Sequence, residues 1–294
     1  MIYDVRQTTT YHYDSNVTDA RHMLRLTPID RTRQRVHAAA LDIVPAPVER
    51  REGFDFFGNR VTWIGLDEPH DTLTVKVAAR IAVEAAPVTD PEATPPWEAV
   101  REEAFAAADL GPQSPAHFLF ASRQVSLDPE IRTYAAESFL PGRPVLSGAI
   151  ELMRRIKADF TYEVGATTVA TTPPMSFALR RGVCQDFAHI MISGLRGLGL
   201  PAAYVSGYLR TVAIGDAPRL EGADAMHAWV LVWCGEAGFV GLDPTNAAIA
   251  GADHIVLAIG RDYADTAPVD GVVFAAGGQK LEVAVSVTPV GAAG

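Results

Sequence analysis

The sequence predicts an α+β protein in which an N-terminal antiparallel β-sandwich domain precedes a domain built from one helix and an antiparallel sheet. Alternation of apolar and polar residues dominates the first part of the 294-residue chain, as is typical of half-buried strands. After residue 97, apolar residues recur at three- and four-residue spacing, which is typical of amphipathic helices. We therefore predict two domains, at residues 1–88 and 89–294, with a proline-rich linker at about residues 85–97.

The strand predictions in the first domain depend on a period of two residues. The segment LTVKVAARIAVE is predicted to turn these apolar residues to one side: Leu73, Val75, Val77, Ala79, Ile81 and Val83. The segment YDVRQTTTYHY shows the same period, and Gly58-Asn59 between two short apolar runs is typical of a hairpin turn. Several short strands joined by turns predict an antiparallel sandwich.

Composition excludes several classes of function. The chain has 25 Lys and Arg against 35 Asp and Glu, a net charge of −10, so we expect no nucleic-acid or anionic-membrane partner. Its 2 cysteines cannot form a disulfide framework. The N-terminus lacks the pattern of a signal peptide, and no apolar run is long enough to span a bilayer. We therefore expect a cytoplasmic protein.

A cysteine begins the most apolar helix of the second domain. The segment RRGVCQDFAHIMISGLRGLGLPA predicts a helix that begins near Val183 and ends before Gly199. This places Cys184 where unpaired backbone N–H groups and the helix dipole stabilise a thiolate. The same N–H groups can bind an oxyanion, and Gly182 allows close backbone approach at the turn. Cys184 is thus the candidate nucleophile.

Two strands that follow this helix offer a base and an acid. His227 lies in the strand MHAWVLVWC, and Asp243 ends the strand FVGLD after a tight turn. If the strands pair antiparallel, Asp243 lies near His227, as a thiolate's base and its orienting acid require. Alternation turns Cys234 to the face opposite His227, so we predict that Cys234 is a packed core thiol.

Other interpretations of these residues stay open at this point. A cysteine near a helix start is often inert, His227 could be a core histidine, and Asp243 could serve only the turn. A metal site of Cys184, His189 and His227 is conceivable, but no paired spacing supports zinc, so we predict neither metal nor cofactor. The loop at residues 211–225 is predicted to line the cleft.

Four ordered motifs carry a family resemblance. The segments GVCQDFAH, LGLPAAYVSGYL, HAWV and GLDPTN resemble the transglutaminase-like superfamily, in its bacterial branch of proposed cysteine proteases. FDFFGN and the sandwich-like first part resemble the N-terminal β domain of that branch. The resemblance implies a papain-like fold, with the nucleophile helix packed on an antiparallel sheet. It also implies that Cys184 is the nucleophile, His227 the general base and acid, and Asp243 the orienting residue.

The function expected from this triad is acyl transfer on peptide or amide bonds through a thioester. Hydrolysis is preferred over cross-linking, and the expected partner is a peptide, a protein or a small amide. Gln185 and Trp229 are expected near the substrate or the oxyanion, with Trp229 shielding the ion pair. Two alternatives are a non-catalytic peptide-binding or scaffold protein on the same fold, and an amidase for a non-protein substrate.

Overall fold

The computed structural model describes residues 1–85, 87, 89–210 and 225–291. The strands among these residues are β1 (Ile2–Val17), β2 (Asp19–Leu24), β3 (Gln34–Val44), β4 (Glu49–Phe54), β5 (Arg60–Leu66), β6 (His70–Val83), β7 (Thr161–Tyr162), β8 (Arg181–Gly182), β9 (Ala202–Leu209), β10 (Ala225–Trp233), β11 (Phe239–Asp243), β12 (Ala248–Ile249), β13 (His254–Gly260), β14 (Val269–Phe274) and β15 (Gln279–Pro289).

Five of the six α-helices of the described residues lie between β6 and β9 in the sequence. The six are α1 (Trp97–Phe105), α2 (Pro129–Ala136), α3 (Val145–Asp159), α4 (Pro173–Leu179), α5 (Cys184–Gly197) and α6 (Tyr263–Thr266). Short 3₁₀ helices occur at Pro91–Ala93, Pro115–Phe118 and Gly235–Ala237. Within the described part of the chain, every helix is too short or too polar to cross a lipid bilayer.

The N-terminal domain is a sandwich of two four-stranded antiparallel sheets. Their strand orders are β15-β1-β6-β3 and β14-β2-β5-β4. The alternation predicted for the strand LTVKVAARIAVE is confirmed, because all six apolar residues that it turns to one side are buried in β6. The predicted hairpin is also present, with Gly58 in the left-handed region (φ 74°) between β4 and β5. The predicted β-sandwich is therefore the observed fold of this part.

The last two strands of the chain complete this sandwich. β15 pairs with β1 from Tyr3↔Pro289 to Tyr13↔Gln279, and β14 pairs with the whole of β2. Val285 and Val287 of β15 are buried in the sandwich core. The sequence prediction places these strands in the domain 89–294, whereas the structure pairs them with the first domain. Without them β1 and β2 would expose unpaired backbone groups at two sheet edges.

The second domain is built on a five-stranded antiparallel sheet, in the order β12-β11-β10-β9-β13. Helix α5 packs on one face, where Phe187 and Leu195 join Val230 in a buried apolar cluster. From the other side of this sheet, Tyr208 and Ile255 join the apolar core of the sandwich. The sheet therefore lies between α5 and the N-terminal domain, which confirms the predicted packing of a helix on an antiparallel sheet.

Two amide side chains of the first domain dock on the free edge of β13. Gln34 donates to the carbonyl oxygen of Val256 (2.8 Å) and accepts from its N–H (2.8 Å). Asn59 makes the same pair of bonds with Ile259, at 2.7 and 2.8 Å. Because β13 is an edge strand, these side chains satisfy backbone groups that a further strand would otherwise bind. They fix how the sandwich sits against the second domain.

Asn59→Ala should lower the free energy of unfolding by about 2–4 kcal/mol, because it leaves two backbone groups of Ile259 unpaired at the contact between the domains. Asn59 is completely buried, so water does not replace the amide. Urea unfolding of both proteins measures the change. Asn16→Ala, at an exposed position of the same domain, is the matched control and should change this free energy by less than about 0.5 kcal/mol. Equal changes in the two variants would contradict the role given to Asn59.

Candidate active site

The start of α5 is shaped by a carboxylate in its own first turn. Asp186 is buried and accepts a hydrogen bond from the N–H of Val183 (2.8 Å), which closes the helix start. It also accepts from the Thr167 hydroxyl (2.6 Å). A Cβ on Gly182 would lie 2.5 Å from an Asp186 oxygen, so this position requires glycine. Asp186 therefore caps the helix and presents Cys184, its first residue, at the helix N-terminus.

The β10–β11 hairpin brings the predicted base and acid together. The two strands pair antiparallel across the short 3₁₀ turn, from Trp233↔Phe239 to Val230↔Leu242. This register places His227 Nε2 at 2.8 Å from Asp243 Oδ2. The other ring nitrogen, Nδ1, has no part in this contact, and His227 lines the same cavity as Cys184. The structure thus brings together the three residues of the predicted triad.

The Asp243 carboxylate is fully buried and accepts several hydrogen bonds. Its Oδ1 accepts from the backbone N–H groups of Thr245 (2.9 Å) and Asn246 (3.2 Å). Its Oδ2 accepts from the Asn246 amide (2.7 Å) and lies 3.3 Å from His254 Nε2. Burial raises the pKa of Asp243, but its hydrogen bonds to His227, His254 and Asn246 outweigh burial and hold this pKa well below its usual range. The carboxylate is therefore ionised at neutral pH.

His254 and Asn246 were not predicted from the sequence. Asn246 is the last residue of the motif GLDPTN, and an Asp followed by Pro and a polar pair is a signal for a side-chain-capped turn. His254 carries no such signal, because only the fold brings the start of β13 to this carboxylate. Its Nδ1 accepts from the N–H of Gly251 (3.2 Å), so Nε2 bears the proton that faces Asp243.

His227 lies between two groups that favour its charged form. Burial lowers the pKa of His227, but the hydrogen bond to Asp243, the charge of Asp243 and the neighbouring Cys184 outweigh burial and raise this pKa to about 9. The imidazole is therefore protonated across the neutral range. A protonated imidazole stabilises a thiolate at its side.

Trp229 packs beside the imidazole and is itself shielded from water. Its ring lies nearly parallel to that of His227 (26° between planes, centroids 6.2 Å apart) and meets His254 edge-on at 5.2 Å. Trp229 is only 1% exposed. A Cβ on Gly207 would lie 2.6 Å from the Trp229 ring, so this glycine makes room for the indole. The indole thus packs against both histidines and excludes water from this side of them.

The remaining sulfur and histidine candidates lie elsewhere. Cys234 is completely buried in the apolar cluster beneath α5, and burial raises the pKa of its thiol to about 12, as a core thiol requires. His189 is buried, accepts from the N–H of Tyr263 (3.2 Å), and has a pKa that burial lowers to about 4. Across the described residues, no three His, Cys, Asp or Glu side chains are placed to hold a metal ion.

A cavity of about 430 Å³ opens beside the thiol and the imidazole. Cys184, Gln185 and His227 line it. The Gln185 amide also donates to the carbonyl oxygen of Val169 (3.3 Å), so its side chain lies at the rim next to the thiol. Residues 211–224, which hold most of the loop predicted to line the cleft, lie outside the described residues.

Similarity to known proteins extends over nearly the whole chain. Residues 3–82 match the model of the bacterial transglutaminase-like N-terminal region, and residues 132–244 match that of the transglutaminase-like superfamily. An uncharacterized protein of Mycobacterium tuberculosis strain H37Rv is 38% identical over 98% of this chain and 92% of its own length. A protein-glutamine gamma-glutamyltransferase of Pseudomonas aeruginosa is 29% identical over 42% of this chain and 22% of its own length.

A solved structure has a similar fold over nearly the whole chain. A proposed cysteine protease from Cytophaga hutchinsonii superposes with a TM-score of 0.74 over 98% of this chain and 90% of that chain. The two sequences are 20% identical, so this similarity concerns the fold alone. The sandwich and the helix-on-sheet core thus occur together in another chain of comparable length.

Proposed function

The chain belongs to the transglutaminase-like superfamily, and from this premise we propose that it is a cysteine-dependent acyl-transfer enzyme with a Cys184–His227–Asp243 triad. Its substrate is a peptide or another amide, and water is the acceptor of the acyl group. The observation that carries the proposal is the position of His227, which is hydrogen-bonded to a buried carboxylate and lines the same cavity as the half-buried Cys184 thiol.

In the proposed first step, the Cys184 thiolate attacks the carbonyl carbon of the amide. The C–N bond breaks, the leaving nitrogen takes the proton from His227 Nδ1, and a thioester forms. Water then attacks the thioester carbonyl and gives its proton to His227. The C–S bond breaks, and the products are a carboxylic acid, an amine and the regenerated cysteine.

Asp243 and Trp229 position the imidazole in this scheme. Asp243 accepts the Nε2–H bond, which fixes the ring so that Nδ1 faces the thiol, and its charge stabilises the imidazolium. The packing of Trp229 on the imidazole restricts the ring to this orientation. No residue of the scheme requires a metal or an organic cofactor.

The start of α5 supplies the proposed oxyanion site. The first N–H groups of a helix have no partner within the helix and carry the positive end of its dipole. The N–H of Cys184 is the first proposed donor, because it is the first N–H of α5. Gln185 follows directly and lines the cavity, so it is proposed to contact the substrate.

Hydrolysis is proposed over cross-linking because the reacting thiol is only half buried. Water therefore reaches the thioester without a further conformational step. The rival function is peptide binding without turnover on the same fold. It would keep the cavity but would not need an activated thiol.

The pH dependence of Cys184 alkylation by iodoacetamide tests the proposal. His227 stays protonated up to a pKa of about 9, so alkylation should remain fast well below pH 8. In His227→Ala the positive charge is lost, and the rate should rise with pH as for an ordinary thiol, whose pKa is about 8.5. Peptide mass mapping assigns the label to Cys184 rather than Cys234.

The two outcomes separate the two functions. Fast labelling at neutral pH that depends on His227 supports the acyl-transfer enzyme. If wild type and His227→Ala show the same ordinary thiol profile, the pair is not activated, and the non-catalytic binding protein becomes the better interpretation.

A further inference from the structure

The cavity beside the thiol is enclosed by both domains. The second domain contributes the start of α5 and residues of β9 and β10, including Ser206 and Met226. The wall opposite is formed by the β1–β15 ladder of the sandwich. Its six cavity-lining residues are Gln7, Thr9, Tyr11, Leu281, Val283 and Val285. This wall therefore consists of the first and the last strands of the chain.

The register of the ladder makes the wall continuous. Tyr11 lies opposite Leu281, Thr9 opposite Val283, and Gln7 opposite Val285. These residues alternate along both strands, so their side chains share the face toward the cavity. Cross-strand neighbours on one face lie close enough to form a single surface. We call these six residues the ladder wall.

The ladder wall becomes more apolar and more exposed toward the cavity mouth. Leu281 and Val283 are 51% and 47% exposed, although each is a large apolar side chain. At the deep end Gln7 and Thr9 are buried, and Gln7 uses its amide on the Tyr208 hydroxyl (2.7 Å) and the Thr9 hydroxyl (2.9 Å). The deep polar groups thus bind each other, and the exposed part that β15 contributes to the wall is hydrocarbon.

Charge is scarce around this cavity. Apart from Cys184 and His227, its described lining contains no Asp, Glu, Lys, Arg or His. The three lining tyrosines are neutral at physiological pH, since the ordinary pKa of tyrosine is about 10. Burial raises the pKa of Tyr11 to about 12 and also raises the pKa values of Tyr204 and Tyr263. A charged substituent placed against the six residues of the ladder wall would lose water without gaining an ion-pair partner from them, which is unfavourable. An apolar substituent would gain from covering exposed Leu281 and Val283.

We propose that the ladder wall is the specificity surface of this site and binds an uncharged, apolar side chain next to the scissile amide. The sandwich domain thereby selects the substrate, while the second domain carries out the reaction. The cavity volume of about 430 Å³ falls in the range of about 300–1,000 Å³ usual for small-ligand sites. That the bound molecule is a substrate rests on the proposed function. The preference of the ladder wall for an apolar side chain can be tested by binding alone.

The test measures binding of three capped dipeptides, Ac-Ala-Leu-NH₂, Ac-Ala-Glu-NH₂ and Ac-Ala-Lys-NH₂, to the Cys184→Ala protein by NMR titration. The leucine peptide should bind at least about 10-fold more tightly than either charged peptide, as expected for an uncompensated charge in an apolar site. The net charge of −10 by itself favours the lysine peptide, so a leucine preference cannot come from long-range attraction.

Leu281→Lys should reduce the ratio of leucine to glutamate peptide affinity at least about 10-fold, because it replaces hydrocarbon by a cation. The matched control is Val272→Lys, at a similarly exposed apolar position (59%) on β14 that does not line this cavity. The proposal is overturned if the Cys184→Ala protein binds the three peptides equally, or if the two lysine substitutions, made in that same protein, change the ratio alike. The alkylation profile of Cys184 decides the proposed function separately, since peptide binding needs no reactive thiol.

Discussion

Replacing Cys184 by alanine should abolish formation of the acyl-enzyme and lower turnover by about 10⁴-fold or more, since the other thiol of the chain, Cys234, is completely buried. The measurement is hydrolysis of the p-nitroanilide Ac-Ala-Leu-pNA, together with the intact mass of the protein after rapid acid quench. The wild type should gain the mass of the acyl group, and Cys184→Ala should not.

The second cysteine provides the control for this prediction. Cys234→Ala removes a thiol that is completely buried beneath α5, so acylation and turnover should persist in this variant. An acyl adduct that survives in Cys184→Ala, or disappears in Cys234→Ala, would contradict the assignment of Cys184 as the nucleophile. Cys184 is half buried, so we expect this position to tolerate a smaller side chain. Circular dichroism of both variants checks that they fold.

Local sequence signals identify each part of the candidate site, because each part depends on residues that are close in sequence. Cys184 is the first residue of a helix whose apolar stripe and terminal Gly199 are visible in the sequence. His227 and Asp243 belong to one tight hairpin, so their proximity needs only the pairing of two consecutive strands. The two-residue period of the strand MHAWVLVWC is likewise enough to turn Cys234 away from His227.

Contacts between distant segments could not be predicted in this way. β15 pairs with β1, although the two strands lie at opposite ends of the sequence. Neither strand carries a sequence signal that identifies its partner. The docking of Gln34 and Asn59 on β13 is equally non-local, since each amide bonds to backbone groups that are distant in the sequence. His254 reaches Asp243 only because β13 joins the sheet beside β9. The ladder wall follows from the same long-range pairing.

Asp243→Asn should lower kcat/KM by about 10³–10⁴-fold while leaving the protein folded, because an amide cannot hold the imidazole ring and its charge as a carboxylate does. In this variant burial still lowers the pKa of His227, but the carboxylate that raises this pKa in the wild type is gone. The pKa of His227, about 9 in the wild type, should therefore fall. Fast alkylation of Cys184 at pH 7 should be lost with the imidazolium.

The sign of the stability change follows from the direction of the carboxylate's pKa. Because the folded pKa of Asp243 is depressed, its ionised form stabilises the folded protein at all pH values above its ordinary pKa, 3.8, and this contribution is lost as the pH falls below it. Asp243→Asn should thus be less stable than the wild type at pH 7, with a smaller difference in acid. Asp55→Asn, which removes a partly buried carboxylate bonded to Arg25 and Asn59, is the control. It should lose stability while keeping the alkylation profile, whereas a loss of alkylation in both variants would show that general loosening, not His227, explains the effect.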